Sequence, residues 1–137
     1  MAAFRKSYLL TLIFLFAIVT GLLSGCGGGS PGKVVEEYRD ALKAGNFKKA
    51  WKLVSEDSRL DIAGPSAAEG LKKFQEKNEE ALKDEKMKNQ LSGTKVTNEK
   101  IEGSHAIVTV EFTGDSGKPS TQDIQLVKEE GKWKIRF

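Results

Sequence analysis

Beyond Ser92 the spacing of apolar residues changes from threes and fours to strict alternation, so helices come first in the fold and strands last. Before the switch, Val34, Val35, Tyr38, Ala41 and Leu42 share one helical face, with Glu36, Glu37, Arg39, Asp40 and Lys43 opposite. Ser30-Pro31 offers a cap and a first-turn proline, and Gly45 a left-handed stop. Asn46 can cap a second short helix that puts Phe47, Ala50, Trp51 and Val54 on one side, and the two helices are expected to pair antiparallel. Residues 55–64 read as irregular. Ser66-Ala67-Ala68-Glu69 matches a capping box for a third helix with a thin stripe of Leu71, Phe74, Ala81 and Leu82. Charges of both signs over residues 72–88 read as solvated helix surface.

After the switch, four strands are expected over residues 95–102, 105–113, 121–129 and 132–137, joined at Gly103-Ser104, a turn-rich loop over 114–119, and Glu130-Gly131. Ala106, Val108, Val110 and Phe112 share one face, as do Ile124 and Leu126, and Trp133, Ile135 and Phe137. The expectation is an α+β domain: two to three N-terminal helices packed on one face of a curled four-stranded antiparallel sheet.

The first thirty residues have a different character. Arg5 and Lys6 precede an apolar stretch of 16 residues, 8–23, broken only by Thr11, Thr20 and Gly21, which is signal-peptide architecture. As a helix it would span about 24 Å, short of the roughly 30 Å hydrocarbon core of a bilayer. Leu23-Ser24-Gly25-Cys26 closes it and resembles a bacterial lipobox: an aliphatic residue, two small residues that let a peptidase approach the backbone, and a thiol able to take a diacylglyceryl group. The resemblance implies cleavage between Gly25 and Cys26, thioether lipidation of Cys26, and palmitate-type acylation of the new amino terminus. Two or three acyl chains hold a protein stably on a membrane where one does so marginally. Gly27-Gly28-Gly29-Ser30 then reads as a flexible tether. The expected organisation is a signal peptide over 1–25, a lipidated cysteine and tether over 26–30, and one domain over 31–137. The domain would sit outside the cytoplasm, on the cell surface or in the periplasm.

Removing 25 of 137 residues leaves 112, the size of one domain with one core. Arg5 and Lys6 are two of 22 basic residues, so 20 remain against 19 acidic ones, too even a balance for a nucleic-acid footprint. With one cysteine and one histidine the chain forms no internal disulfide and no zinc site of the cysteine and histidine kind, and no cofactor is expected.

The run Val34-Val35-Glu36-Glu37-Tyr38-Arg39-Asp40-Ala41-Leu42-Lys43-Ala44-Gly45-Asn46-Phe47-Lys48-Lys49-Ala50-Trp51 and the ending Gly131-Lys132-Trp133-Lys134-Ile135 resemble nuclear transport factor 2-like domains. The closest match is to small exported bacterial lipoproteins of unknown function within that superfamily. Enzymes of that fold, isomerase-like or dehydratase-like, aim carboxylates, tyrosine or histidine into the cone between sheet and helices, where a dry pocket tunes their pKa. Here the inward parity of the last three strands carries no acid or base among its assigned residues, and Asp123 and His105 fall on the outward parity. Tyr38 points inward and could donate to a ligand. Asp57, Ser58, Arg59 and Asp61 cluster after the second helix without forming a nucleophile set, so no catalytic residue is assigned. Phe47, Trp51, Phe74, Phe112, Trp133 and Phe137 are many large side chains for a small core, which favours a filled or small cavity. Tyr38, Trp51, Phe74, Phe112 and Trp133 are the expected cavity lining. The reading is a non-enzymatic binding or interaction module, with an isomerase-like or dehydratase-like enzyme as the alternative. Partners left open are a small apolar ligand, a protein, and a second copy in a homodimer.

Overall fold

The computed structural model describes residues 29–114 and 116–137. The expected signal peptide, the Gly25–Cys26 cleavage point and the lipidation site lie outside the described residues.

Helix α1, Pro31–Lys43, begins as its sequence suggests: the Ser30 hydroxyl accepts from the Lys33 amide at 3.4 Å, and Pro31 occupies the first turn. It buries Val34, Val35, Ala41 and Leu42, and Gly45 at φ 69° turns the chain out of it. Asn46 caps α2, Phe47–Lys52, through the Lys49 amide at 3.1 Å. The segment expected to be irregular is instead α3, Glu56–Ala63, capped by the buried Ser55 and ended by Gly64 at φ 64°. It lacks an apolar stripe because its buried residues are Ser58 and Ala63. Helix α4, Ala67–Ala81, starts where the capping box predicts, but the Ser66 side chain makes no capping hydrogen bond. Helix α5, Glu85–Gly93, rises from the charged run, capped by Asp84 on the Lys86 amide at 2.9 Å, and fully buries none of its residues. Five helices are therefore described where two to three were expected.

The strands are β1, Lys95–Glu102; β2, His105–Thr113; β3, Pro119–Glu129; and β4, Lys132–Arg136. They form one antiparallel sheet in the order β1-β2-β3-β4, so the expected α+β architecture holds. The Glu130-Gly131 turn has φ 49° and 77°, the paired left-handed conformation that a two-residue hairpin uses. The link between α2 and α3 lies along β4: the Ser55 amide donates to the Ile135 carbonyl and the Ile135 amide to the Leu53 carbonyl, each at 2.8 Å.

Two clusters fill the interior. One joins Val34 and Val35 to the inner face of the sheet through Val108, Leu126, Trp133 and Ile135; the other joins Leu42, Phe47, Trp51, Val54 and Phe74 among the helices. Tyr38 packs against both. Phe137 departs from the inward face expected of it and is 66 % exposed. Pairing of β4 ends at Arg136 opposite Gln125, so the last residue leaves the sheet and its amide donates to the Ser58 hydroxyl at 2.9 Å.

Candidate ligand groove

Strand β4 has 5 residues and β3 has 11, so the first part of β3, residues 119–124 ahead of Gln125, has no strand on its β4 side. Helices α1 and α5 cross over the inner face at this end, and neither fills the space beneath it. A pocket of about 200 Å³ opens there, walled by Val35, Leu91, Val110, Phe112 and Ile124. A second of about 330 Å³ runs past the free edge of β3 to Ile135, Arg136 and Phe137. Tyr38, Gln122 and Ile124 line both, so the two pockets adjoin along these residues and together make up the groove.

Tyr38 is its central polar residue. Its ring leans on Phe74 at 6.4 Å and Phe137 at 6.2 Å between centroids, and burial pushes the phenol up to about 12. Desolvation penalises the phenolate, so at neutral pH the group is a neutral hydrogen-bond donor. Among the described residues nothing hydrogen-bonds its hydroxyl or the Gln122 amide group. Arg39 at the rim is already engaged: one guanidinium nitrogen donates to the Thr94 carbonyl at 2.6 Å and others meet the Asp40 carboxylate at 2.9 and 3.0 Å.

Of the five residues expected to line a cavity, the structure brings two to this groove, Tyr38 and Phe112. Trp51 and Phe74 pack on each other at 5.1 Å in the helical cluster, and Trp51 borders a separate pocket. Trp133 is buried in the sheet cluster, with the Lys128 ammonium 5.5 Å from its ring centroid. The cone is thus filled at its centre and open at its mouth. Leu91, Gln122 and Ile124 complete the groove. Gln122 carried a usable signal, since it is a polar residue on the inward parity of β3, two positions before Ile124.

Asp123 borders the groove, but its carboxylate turns to the outer face of the sheet and accepts from the Thr109 hydroxyl at 2.8 Å. His105 is exposed at the far end of β2, roughly 23 Å of strand from Phe112, with Nδ1 3.3 Å from the Ser104 hydroxyl. Asp57 and Asp61 are exposed on α3, while Ser58 is buried and bonded to Ser55 at 3.0 Å. Among the described residues no three histidines, cysteines or carboxylates gather as a metal site, and no helix is long and apolar enough to cross a membrane.

A family model described as "Domain of unknown function (DUF4878)" matches residues 24–136. No curated protein matches the chain. Among solved structures, one whose description proposes an NTF2-like transpeptidase from Campylobacter jejuni is 12 % identical, with 80 % of this chain and 99 % of that one covered at a TM-score of 0.48. A de novo designed NTF2 fold protein is 23 % identical, covering 77 % and 81 % at a TM-score of 0.43. Another, whose description proposes a calcium/calmodulin-dependent protein kinase II association domain from Xanthomonas campestris, is 18 % identical, covering 74 % and 76 % at a TM-score of 0.35. Identities this low carry nothing about chemistry.

Proposed function

This chain belongs to the DUF4878 family of domains of unknown function, and from that premise we propose that it is a lipid-anchored, non-enzymatic binding module that receives its ligand in the groove around Tyr38. The anchor rests on the Leu23-Ser24-Gly25-Cys26 lipobox, which would hold the domain outside the cytoplasm on a glycine tether. The observation that carries the binding reading is the Tyr38 hydroxyl: a neutral donor on a half-buried side chain, unpartnered among the described residues, and set in apolar walls. Such a donor invites an apolar molecule bearing one hydrogen-bond acceptor. Catalysis of the isomerase kind would call for a base aimed at the ligand, and the Asp123 carboxylate is engaged on the other face of the sheet.

Cyclohexanone, an apolar ring with a carbonyl acceptor, tests this reading. Titrated into methyl-labelled protein, it should move the Val35, Leu91 and Ile124 methyls saturably, and Tyr38→Phe should weaken binding roughly fivefold, the worth of about one neutral hydrogen bond. Shifts scattered over the molecule, or equal affinity in the phenylalanine variant, would overturn the proposal. Enolisation of the ketone, detected as deuterium uptake lost in Asp123→Asn, would move the enzyme alternative ahead.

A further inference from the structure

A separate pocket lies among α2, α3 and the start of α4 and shares no lining residue with the groove. It measures about 180 Å³ and is lined by Trp51, Glu56, Arg59, Leu60, Ala63 and Ala67. Its walls are apolar, and Leu60 is 55 % exposed at its mouth. The exceptions are Glu56 at the rim and Arg59, whose Nε is buried without a hydrogen-bond partner and whose guanidinium forms no ion pair among the described residues. Buried polar nitrogens are rarely left so, because desolvation without a compensating bond is costly.

The surroundings offer Arg59 no relief. The Lys134 ammonium, close enough for the Arg59 charge to help burial hold it below the ordinary lysine range, is committed to the Lys52 carbonyl at 2.5 Å. The Glu129 carboxylate accepts the Glu56 backbone amide at 3.0 Å. Glu56 itself lies one helical turn before Arg59, exposed at the rim, yet no ion pair joins the two. The site therefore holds an unpaired, half-buried guanidinium, enclosed at its Nε, against an apolar slot, with one unneutralised carboxylate at its edge.

We propose that this pocket binds a small free carboxylic acid, its carboxylate on the Arg59 guanidinium and a short branched alkyl stem against Trp51, Leu60 and Ala63. A guanidinium fork matches a carboxylate in geometry and charge, and a charge-assisted hydrogen bond is about twice as strong as a neutral one. The volume equals the liquid share of roughly six waters, enough for such an acid and too little for a long acyl chain. Glu56 opposes the ligand's charge, so removing that charge should strengthen binding.

The test uses the full chain in neutral phosphatidylcholine nanodiscs, with fluorotryptophan at its 2 tryptophans and Trp133→Phe to assign the two resonances. Isovalerate should shift the Trp51 resonance saturably and leave that of Trp133 in place. Isovaleramide, the same stem without charge, should bind roughly tenfold more weakly, and Arg59→Gln should remove the isovalerate response. Glu56→Gln should tighten binding by roughly two- to fivefold, the range of an exposed charge interaction, and a gain cannot come from a misfolded variant. A Trp51 resonance that does not respond, an amide that binds as well as the acid, or a Glu56→Gln variant with unchanged or weaker affinity overturns the proposal. Acetyl-leucine binding more tightly than isovalerate overturns the assignment to a free acid in favour of a peptide carboxyl terminus.

Discussion

Glu99 reaches from β1 to the start of α1, where its carboxylate accepts the Gly32 amide at 2.9 Å and the Ser30 hydroxyl at 3.1 Å. A negative charge among the free amides at a helix start is favourable, and a β-carbon at position 32 would collide with that carboxylate. No local pattern reveals this contact, because it joins residues 67 positions apart. Tyr38 was legible as an inward residue, but not as one whose hydroxyl lacks a partner, since that depends on what the sheet and α5 place around it. Its raised pKa has a consequence for stability. Below pH 10 the tyrosine is neutral in both states and its contribution is fully present; between 10.0 and about 12 the unfolded chain ionises while the folded one does not. The unfolded state then binds fewer protons, so stability falls as pH rises through that window, by about 1 to 2 kcal/mol once partial exposure is allowed for. Lys134 acts in the opposite sense, because its lowered pKa lets stability recover as pH rises from its folded value toward 10.5. Urea unfolding of wild type and Tyr38→Phe across pH 9 to 12 should show the alkaline loss reduced in the variant. Parallel curves would contradict it.

The helices divide according to what they bury. Helices α1, α2 and α4 follow their apolar spacing, whereas α3 and α5 escape it because one buries Ser58 and Ala63 and the other buries no residue fully. Their caps were the surviving signal: Ser55 accepts the Ser58 amide at 3.3 Å and Asp84 the Lys86 amide at 2.9 Å. The strands were legible nearly to the residue, because alternation and turn residues act together and a slip of one would expose the apolar face. Helix α5 also borders the groove through Met87, Gln90 and Leu91, so the mouth of the groove is framed by the least buried helix described. Local opening should therefore cost less there than in β2, where Ala106, Val108 and Val110 are buried. Native-state hydrogen exchange at rising, sub-denaturing urea should accelerate the β2 amides and leave those of α5 unchanged. A shared urea dependence would mean that α5 opens only with the whole domain.

At the scale of the molecule, the α+β order and the inward sheet face were readable in the sequence, while the division of the interior was not. Which aromatics meet depends on how the helices cross, and alternation says nothing of that. The outcome is one cluster between α1 and the sheet around Trp133 and a second among the helices around Trp51, with Tyr38 packed against both. Each cluster closes on protein side chains of the described residues, so the domain from Ser30 onward should fold without its acyl chains. In that reading lipid at Cys26 fixes where the domain resides and contributes nothing to its core. Mass spectrometry of the membrane-extracted chain should find the diacylglyceryl adduct on Cys26 with nothing before it. A chain starting at Ser30 should unfold cooperatively, with a midpoint indifferent to chelators and reductants. Within it, Trp51→Ala and Trp133→Ala should each cost about 3 to 5 kcal/mol, as large-to-small core changes do. Because the two indoles lie in separate clusters, the double variant should lose the sum of the single losses to within about 0.5 kcal/mol. A coupling much larger than that would show that Tyr38 transmits strain from one cluster to the other, and that the two behave as a single core.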